Sequence, residues 1–276
     1  MTLVIEASGE EPDNASVVRA ALAVLEREQE VRILFAAESG SRAWGFASPD
    51  SDYDVRFLYV PAWERYFTVS PQSDNLKAEL PGDLDMAGWE LRKALQLFGK
   101  GNGPLYEWLG SPIVYAEAPG LSDELRALLP VVFNPPVVLF HYLGLARRTL
   151  EGYLGEPRVR IKKLFYLLRP LFAARWIVEQ RTMPPTRFGE LVAAPWVSEE
   201  ERVWVAELLA RKARAGEAET MPFEAERRGE LAAEVERLAA LGPSLASRHE
   251  GLGKAKRELD ALLLRWAGPA SAAAWR

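Results

Sequence analysis

The apolar positions of the chain follow two rhythms. Residues 15–29 (ASVVRAALAVLEREQ) recur at helical spacing, and residues 31–38 (VRILFAAE) form a short continuous apolar run of the kind a buried strand shows. A second strand is expected over 53–60 (YDVRFLYV). The connection between the two, about 14 residues, is too irregular to read as a helical crossover. Residues 75–89 are more weakly extended and lead into WELRKALQLFGKG, a helix closed by glycines, and SPIVYA (111–116) fits one more short strand. Beyond about residue 120 the rhythm is helical almost throughout: 121–129, 137–154, 158–182, 198–215, 222–241 and 252–267. The change divides the chain into a mixed part, 1–118, and a helical part, 119–276. The FNPPVV loop (133–138) is another place where a boundary fits, and MPP (183–185) stops the long basic helix. The expected class is α+β, a small mixed sheet followed by a helical domain.

Charge sharpens that division. The net charge is −5. Residues 1–118 hold 10 basic and 19 acidic side chains, whereas 146–187 hold 10 basic and 3 acidic. An acidic front facing a basic middle suits a cation-dependent site that handles a polyanion. There is no cysteine, so disulfides, thiolate nucleophiles and cysteine zinc sites are excluded, and the two histidines, His141 and His249, are too far apart for an HExxH site. The N-terminal stretch lacks a basic segment followed by an apolar core, and no apolar run approaches the roughly 20 residues of a membrane span. A soluble, cytoplasmic protein is expected, with no membrane partner.

The chemistry concentrates in ESGSRAWGFASPDSDYDVRFLYV, from Glu38 onward. Three aspartates, Asp50, Asp52 and Asp54, crowd the entrance of an apolar strand, where like charges repel. A P-loop fails because Phe46-Ala47 stands where its lysine and hydroxyl residue belong. An EF-hand counted from Asp50 fails because Val55 and Pro61 occupy its glycine and glutamate places. A two-metal site fits: on a strand Asp52 and Asp54 project to one face, where paired carboxylates can share Mg²⁺. The Gly40-Ser41 turn offers N–H groups and a hydroxyl to a triphosphate.

Gly40-Ser41 followed by Asp52-Tyr53-Asp54 resembles the GS…DxD signature of the DNA polymerase β-like nucleotidyltransferases. The extended pattern ESGSRAWGFASPDSDYDVRF is similar to one branch, the RNA repair pathway DNA polymerase β family, and the likeness continues through DLDMAGWELRKALQLFGKGN, YEWLGSPIVY and KKLFYLLRPLFAARW, over roughly residues 30–195. It implies a polymerase β-like palm domain over 1–118 and a helical domain that binds nucleotide or nucleic acid. It implies a third carboxylate at Asp85, with Asp83 a rival two residues away. Catalysis and metal binding would fall to Asp52, Asp54 and Asp85, with two Mg²⁺ ions or Mn²⁺ in their place. Asp50 reads as an accessory acid or turn residue.

In RVRIKKLFYLLRPLFAARW, Lys162, Tyr166 and Arg169 fall on one helical stripe opposite Leu164, Leu168, Leu171 and Phe172, and Pro170 should bend the helix. Lys162 or Lys163, with Arg169, are candidates for triphosphate or nucleic-acid backbone contacts, as is Arg42 in the Gly-Ser loop. Lys93, on the helix after Asp85, is a similar candidate. Trp44, Trp89, Trp108 and Trp176 could stack bases, although core packing is their commoner use. Asn102 fits a helix cap. The implied reaction moves an NMP from an NTP to a hydroxyl, foremost an RNA or tRNA 3′ end, with release of pyrophosphate. Transfer to a protein or small molecule, and nucleotide or RNA binding without catalysis, are the alternatives.

Overall fold

A computed structural model describes residues 14–70, 72–80, 84–153, 155–214, 218–246 and 252–272. The chain runs through α1 (Asn14–Gln29), β1 (Val31–Glu38), α2 (Gly40–Trp44), β2 (Tyr53–Pro61), β3 (Asn75–Leu80), β4 (Leu84–Glu90), α3 (Leu91–Gly99), α4 (Gly103–Leu109), β5 (Val114–Glu117), α5 (Leu121–Val132) and α6 (Pro135–Tyr153). It continues through β6 (Arg158–Arg160), α7 (Ile161–Gln180), α8 (Phe188–Val192), α9 (Glu199–Arg214), β7 (Thr220–Pro222), α10 (Ala225–Leu241), α11 (Leu252–Ala267) and α12 (Pro269–Ala272). Five strands form one sheet in the order β3-β4-β2-β1-β5. Every pairing is antiparallel except β2 with β4, which is parallel. The mixed sheet followed by helices is the α+β arrangement the sequence leads one to expect.

The two faces of the sheet do different work because side chains alternate along each strand. Val55, Phe57 and Tyr59 of β2 join Met86 of β4 under Val18, Leu22 and Leu25 of α1. Leu58 and Val60 point the other way, into a larger core with Leu91, Phe98, Leu139, Tyr142, Leu164 and Leu168. That second core runs without interruption from the sheet into α6, α7 and α10, so apolar packing crosses residue 118. Asp54 and Arg56 are even-numbered like Leu58. They therefore face the helical half of the chain.

Several local expectations need correction. Residues 75–89 form two strands, not one extended stretch, and the Gly-Ser turn is a single turn of helix, α2. The long basic helix begins at Ile161 because Val159 is buried and pairs with Met221 in a small second sheet. Proline 170 lies within the continuous α7. It has no N–H to give the Tyr166 carbonyl, and the Thr149 hydroxyl of α6, 3.0 Å from the Leu145 carbonyl, lies 3.4 Å from that oxygen as a second acceptor. Asn102 caps α4 as expected, its Oδ1 accepting from the Leu105 N–H at 2.9 Å. Most of the N-terminal stretch lies outside the described residues, as does Asp83. Among the described residues no single helix is long and apolar enough to cross a membrane.

One glycine is required by the parallel pair. Gly88 of β4 sits opposite Phe57, and a Cβ there would lie 2.1 Å from Phe57 Cε2. Gly88→Ala should cost about 1–3 kcal/mol through overpacking, read as a lower urea midpoint with the denaturant slope unchanged.

Candidate active site

The parallel register fixes the centre of the site. Asp54 of β2 stands directly opposite Asp85 of β4, so two carboxylates lie side by side on the face that meets the helices. Like charges at that spacing need a counter-charge. Arg56, two residues along the same face of β2, provides it. Its Nη2 donates to Asp54 Oδ1 at 3.1 Å and to Asp85 Oδ2 at 2.8 Å, and its Nη1 to the Asp85 carbonyl at 3.2 Å.

Asp54 is held from behind as well. Glu38, fully buried at the end of β1, accepts the Asp54 N–H through Oε1 at 2.8 Å and the Tyr115 hydroxyl through Oε2 at 2.5 Å. The Ser39 N–H donates to the Asp54 carbonyl at 2.8 Å. Gly40 follows with φ +62°, and a Cβ on it would fall 2.2 Å from Asp54 Oδ2. Both the backbone conformation and the close approach demand glycine there. Burial pushes the Asp54 carboxyl above its ordinary range, Arg56 and Lys162 pull it down, and Asp85 and Asp52 push it further up. Burial also pushes the Glu38 carboxyl up, against the hydrogen bonds from Tyr115 and the Asp54 amide.

The sequence-derived candidates are thus partly gathered. Asp54, Asp85 and Gly40 meet, and Asp52 and Lys162 lie within electrostatic reach of Asp54. Asp52 is exposed and precedes β2, so it does not alternate with Asp54 along a strand as its spacing suggests. Ser41 is buried in α2. Arg42 donates through Nε to the Asp52 carbonyl at 3.1 Å and through Nη2 to the Ser51 carbonyl at 2.6 Å, and lies 3.8 Å over the Tyr53 ring. It fixes the loop that carries the acids. Asp50 is an exposed loop residue. Lys163 rests 3.7 Å over the Tyr153 ring, and Lys93 donates to Asp74 at 2.8 Å, on the far side of β4's end.

Arg169 is the main correction. It keeps its place on the stripe of Lys162 and Tyr166 but is fully buried there, ion-paired through Nη1 with Glu107 of α4. Helix α7 is covered on both sides, and the burial of a charge there is supported by its partner. Glu107 also accepts from the Tyr142 hydroxyl at 2.6 Å and from Trp44 Nε1 at 3.2 Å. Trp89 packs on Trp108 with ring centroids 4.2 Å apart, and Trp176 on Trp196 at 5.5 Å, so these indoles serve packing. Arg56, Glu38 and Glu107 escaped the sequence reading. Glu38 had one signal, an acid ending an otherwise apolar run; Arg56 becomes informative only once Asp85 is known to be its neighbour.

Residues 15–265 match the RNA repair pathway DNA polymerase beta family, and the chain belongs to that family. Its fold is accordingly that of the polymerase β-like nucleotidyltransferases. The chain is also 47% identical over 197 residues to YcgL of Bacillus subtilis (strain 168), an uncharacterized protein, covering 70% of this chain and 74% of that one.

The carboxylates also bear on cation binding. Among the described residues no three acids or histidines converge as a ready-made cage. The Asp54–Asp85 pair nevertheless directs one oxygen of each residue at a single cation, the Arg56 guanidinium. Hard carboxylate oxygens around a shared cation suit Mg²⁺, which completes its octahedron with water and phosphate oxygens.

On α6, beside Glu107, His141 is half-buried and desolvation pushes its imidazole below the usual range, with Glu107 pulling it up and Arg148 and Arg169 pulling it down. A depressed folded pKa gives stability that is complete above the unfolded value near 6.5 and is lost as pH falls through the folded one. In urea titrations from pH 8 to 5, His141→Gln should lose less stability on acidification than wild type. An unchanged slope would show that His141 is not depressed.

Proposed function

We propose that the protein is an Mg²⁺-dependent nucleotidyltransferase that moves an NMP from an NTP to a hydroxyl, foremost the 3′ end of an RNA such as tRNA. The observation that carries this reading is the Asp54–Asp85 pair converging on one cation beside the Gly40 turn. In the reaction the acceptor oxygen attacks the α-phosphorus, the α–β P–O bond breaks, and pyrophosphate leaves. Bound divalent cations would supply charge neutralisation and lower the pKa of the acceptor hydroxyl. Asp54 and Asp85 would hold them, with Asp52 at the mouth of the strand as the third ligand.

The rest of the constellation serves positioning. Glu38 and Ser39 hold the Asp54 backbone, so its carboxylate has little freedom to swing. Gly40 lets the Gly-Ser backbone approach the carboxylate where a triphosphate would lie. Lys162 supplies a cation from α7 opposite the phosphates. Arg42 keeps the Asp52 loop in place. Arg56 balances the two acids when no metal does. RNA as the acceptor is supported by the family's name and by the basic 146–187 segment.

The direct test incubates the protein with Mg²⁺, each α-labelled NTP and RNA bearing 3′-hydroxyl ends. Label should enter RNA with wild type, and Asp54→Asn should lower the rate by roughly a thousandfold or more. Label on protein, or on a small molecule, would reassign the acceptor; no transfer at all would refute the enzyme reading. A second measurement addresses the cation. Mn²⁺ binding followed by electron paramagnetic resonance should be lost in Asp54→Asn and in Asp85→Asn. It should tighten in Arg56→Gln, where the competing internal cation is gone.

A further inference from the structure

A cavity of about 340 Å³ lies beside the carboxylates, with Ser39 and Arg56, both bonded to Asp54, in its wall. Helix α6 contributes His141, Leu145 and Thr149 to the lining, a stripe of one residue per turn, and α7 contributes Tyr166. The next residue on the α6 stripe is Tyr153, at the end of the helix. Tyr153 is 56% exposed, and Lys163 of α7 stands over its ring at 3.7 Å. The same ammonium lies 5.4 Å from the Tyr166 ring, and that of Lys162 lies 5.8 Å from it. Lys162 is in turn within electrostatic reach of Asp54. Two tyrosine rings and two ammonium groups thus form one line from the carboxylates to the surface.

The charge along that line is one-sided. Arg158, Arg160, Lys162 and Lys163 fall within six consecutive residues that include no acid, and the wider stretch 148–163 adds Arg148 against Glu151 and Glu156. Val159 turns inward where β6 pairs with β7, so Arg158 and Arg160 are both exposed. Like charges so close repel and contribute nothing to folding, and a chain of anions relieves them. The exposed ring adds a second demand. Cations that follow a phosphate backbone, interleaved with rings on which bases stack, are what a single strand of nucleic acid requires. A triphosphate at the carboxylates reaches Lys162 but leaves Tyr153, a turn of α6 beyond the cavity, without a partner. A duplex keeps its bases stacked on one another and has none to give the ring.

We infer that the corner between α6 and α7 is the track on which the single-stranded 3′ end of the acceptor RNA lies, with Tyr153 stacking one of its bases and Arg160, Lys162 and Lys163 holding its phosphates. The inference rests on the nucleotidyltransferase reading, since the carboxylates are where that 3′ hydroxyl must arrive. The track takes an unpaired end of any sequence, because every base has a face to stack.

Fluorescence anisotropy in Mg²⁺ tests the track without requiring turnover. A labelled single-stranded RNA should bind more tightly than a blunt duplex containing the same strand. Tyr153→Ala should weaken the single strand about tenfold, while Tyr153→Phe, which keeps the ring, retains wild-type affinity. Arg160→Gln should flatten the slope of log affinity against log salt by about 0.7. Both positions are exposed, so the urea midpoint of each variant should stay at the wild-type value. Neither should change the affinity for α,β-methylene NTPs, which cannot transfer and report on the carboxylate site alone. In the labelling assay both variants should raise KM for RNA and leave KM for NTP unchanged. Duplex binding as tight as that of the single strand, or single-strand affinity unmoved by Tyr153→Ala and Arg160→Gln, overturns the track. RNA labelling by wild type alongside such a result leaves the nucleotidyltransferase reading standing. If RNA is neither bound nor labelled and the NTP analogues also fail to bind, both are removed.

Discussion

The crowding of negative charge where β2 and β4 run parallel is the constraint around which the rest is arranged. A parallel register that aligns Asp54 with Asp85 brings two carboxylates together in a partly desolvated place, and the chain answers with Arg56 on the same face. The opposite face of the same strands is apolar and closed by α1, so the acids cannot turn away from each other without disturbing Phe57 and Met86. The Gly40 turn, the buried Glu38 and the loop held by Arg42 fix the carboxylates from the remaining directions. Electrostatic tension here is maintained by packing elsewhere, the usual relation between an active site and its scaffold.

A second charged element ties the sheet's surroundings to the helices. Glu107 on α4 gathers Arg169 from α7, Tyr142 from α6 and Trp44 from α2. Breaking such a buried pair by removing one partner typically costs about 3–5 kcal/mol. Because Trp44 ends the single helical turn that Gly40 and Ser41 begin, the geometry beside Asp54 is tied to this node. A buried lysine, Lys212 of α9, makes a similar tie farther along the loop, donating to Ser48 Oγ at 3.2 Å.

Much of this was legible in the sequence, and the limits are physical. Strands β1 and β2 and most of the helices follow from periodicity because each presents one apolar face or a continuous apolar run. Asp54 was found because an acid inside an apolar strand has no packing reason to be there. Asp85 came from family resemblance, since its partnership with Asp54 depends on a parallel pairing that no local pattern encodes. Arg56 was hidden for the same cause. The burial of Arg169 was not legible because a buried ion pair looks in sequence like a surface charge. The strand at 158–160 was absorbed into the following helix, its partner lying some sixty residues away.

The hydroxyl of Thr149 has a mechanical side. It shares its proton between the Leu145 carbonyl of its own helix, at 3.0 Å, and the Tyr166 carbonyl that Pro170 leaves unpaired, at 3.4 Å. Apolar contacts between helices tolerate small sliding, but a directional hydrogen bond to one carbonyl does not. A displacement of α7 along α6 by one helical turn, about 5.4 Å, would set Thr149 against an oxygen already engaged within its own helix. The proline therefore opens one carbonyl of α7 to α6, and the proton that Thr149 shares between the two helices acts as an index mark for where they meet.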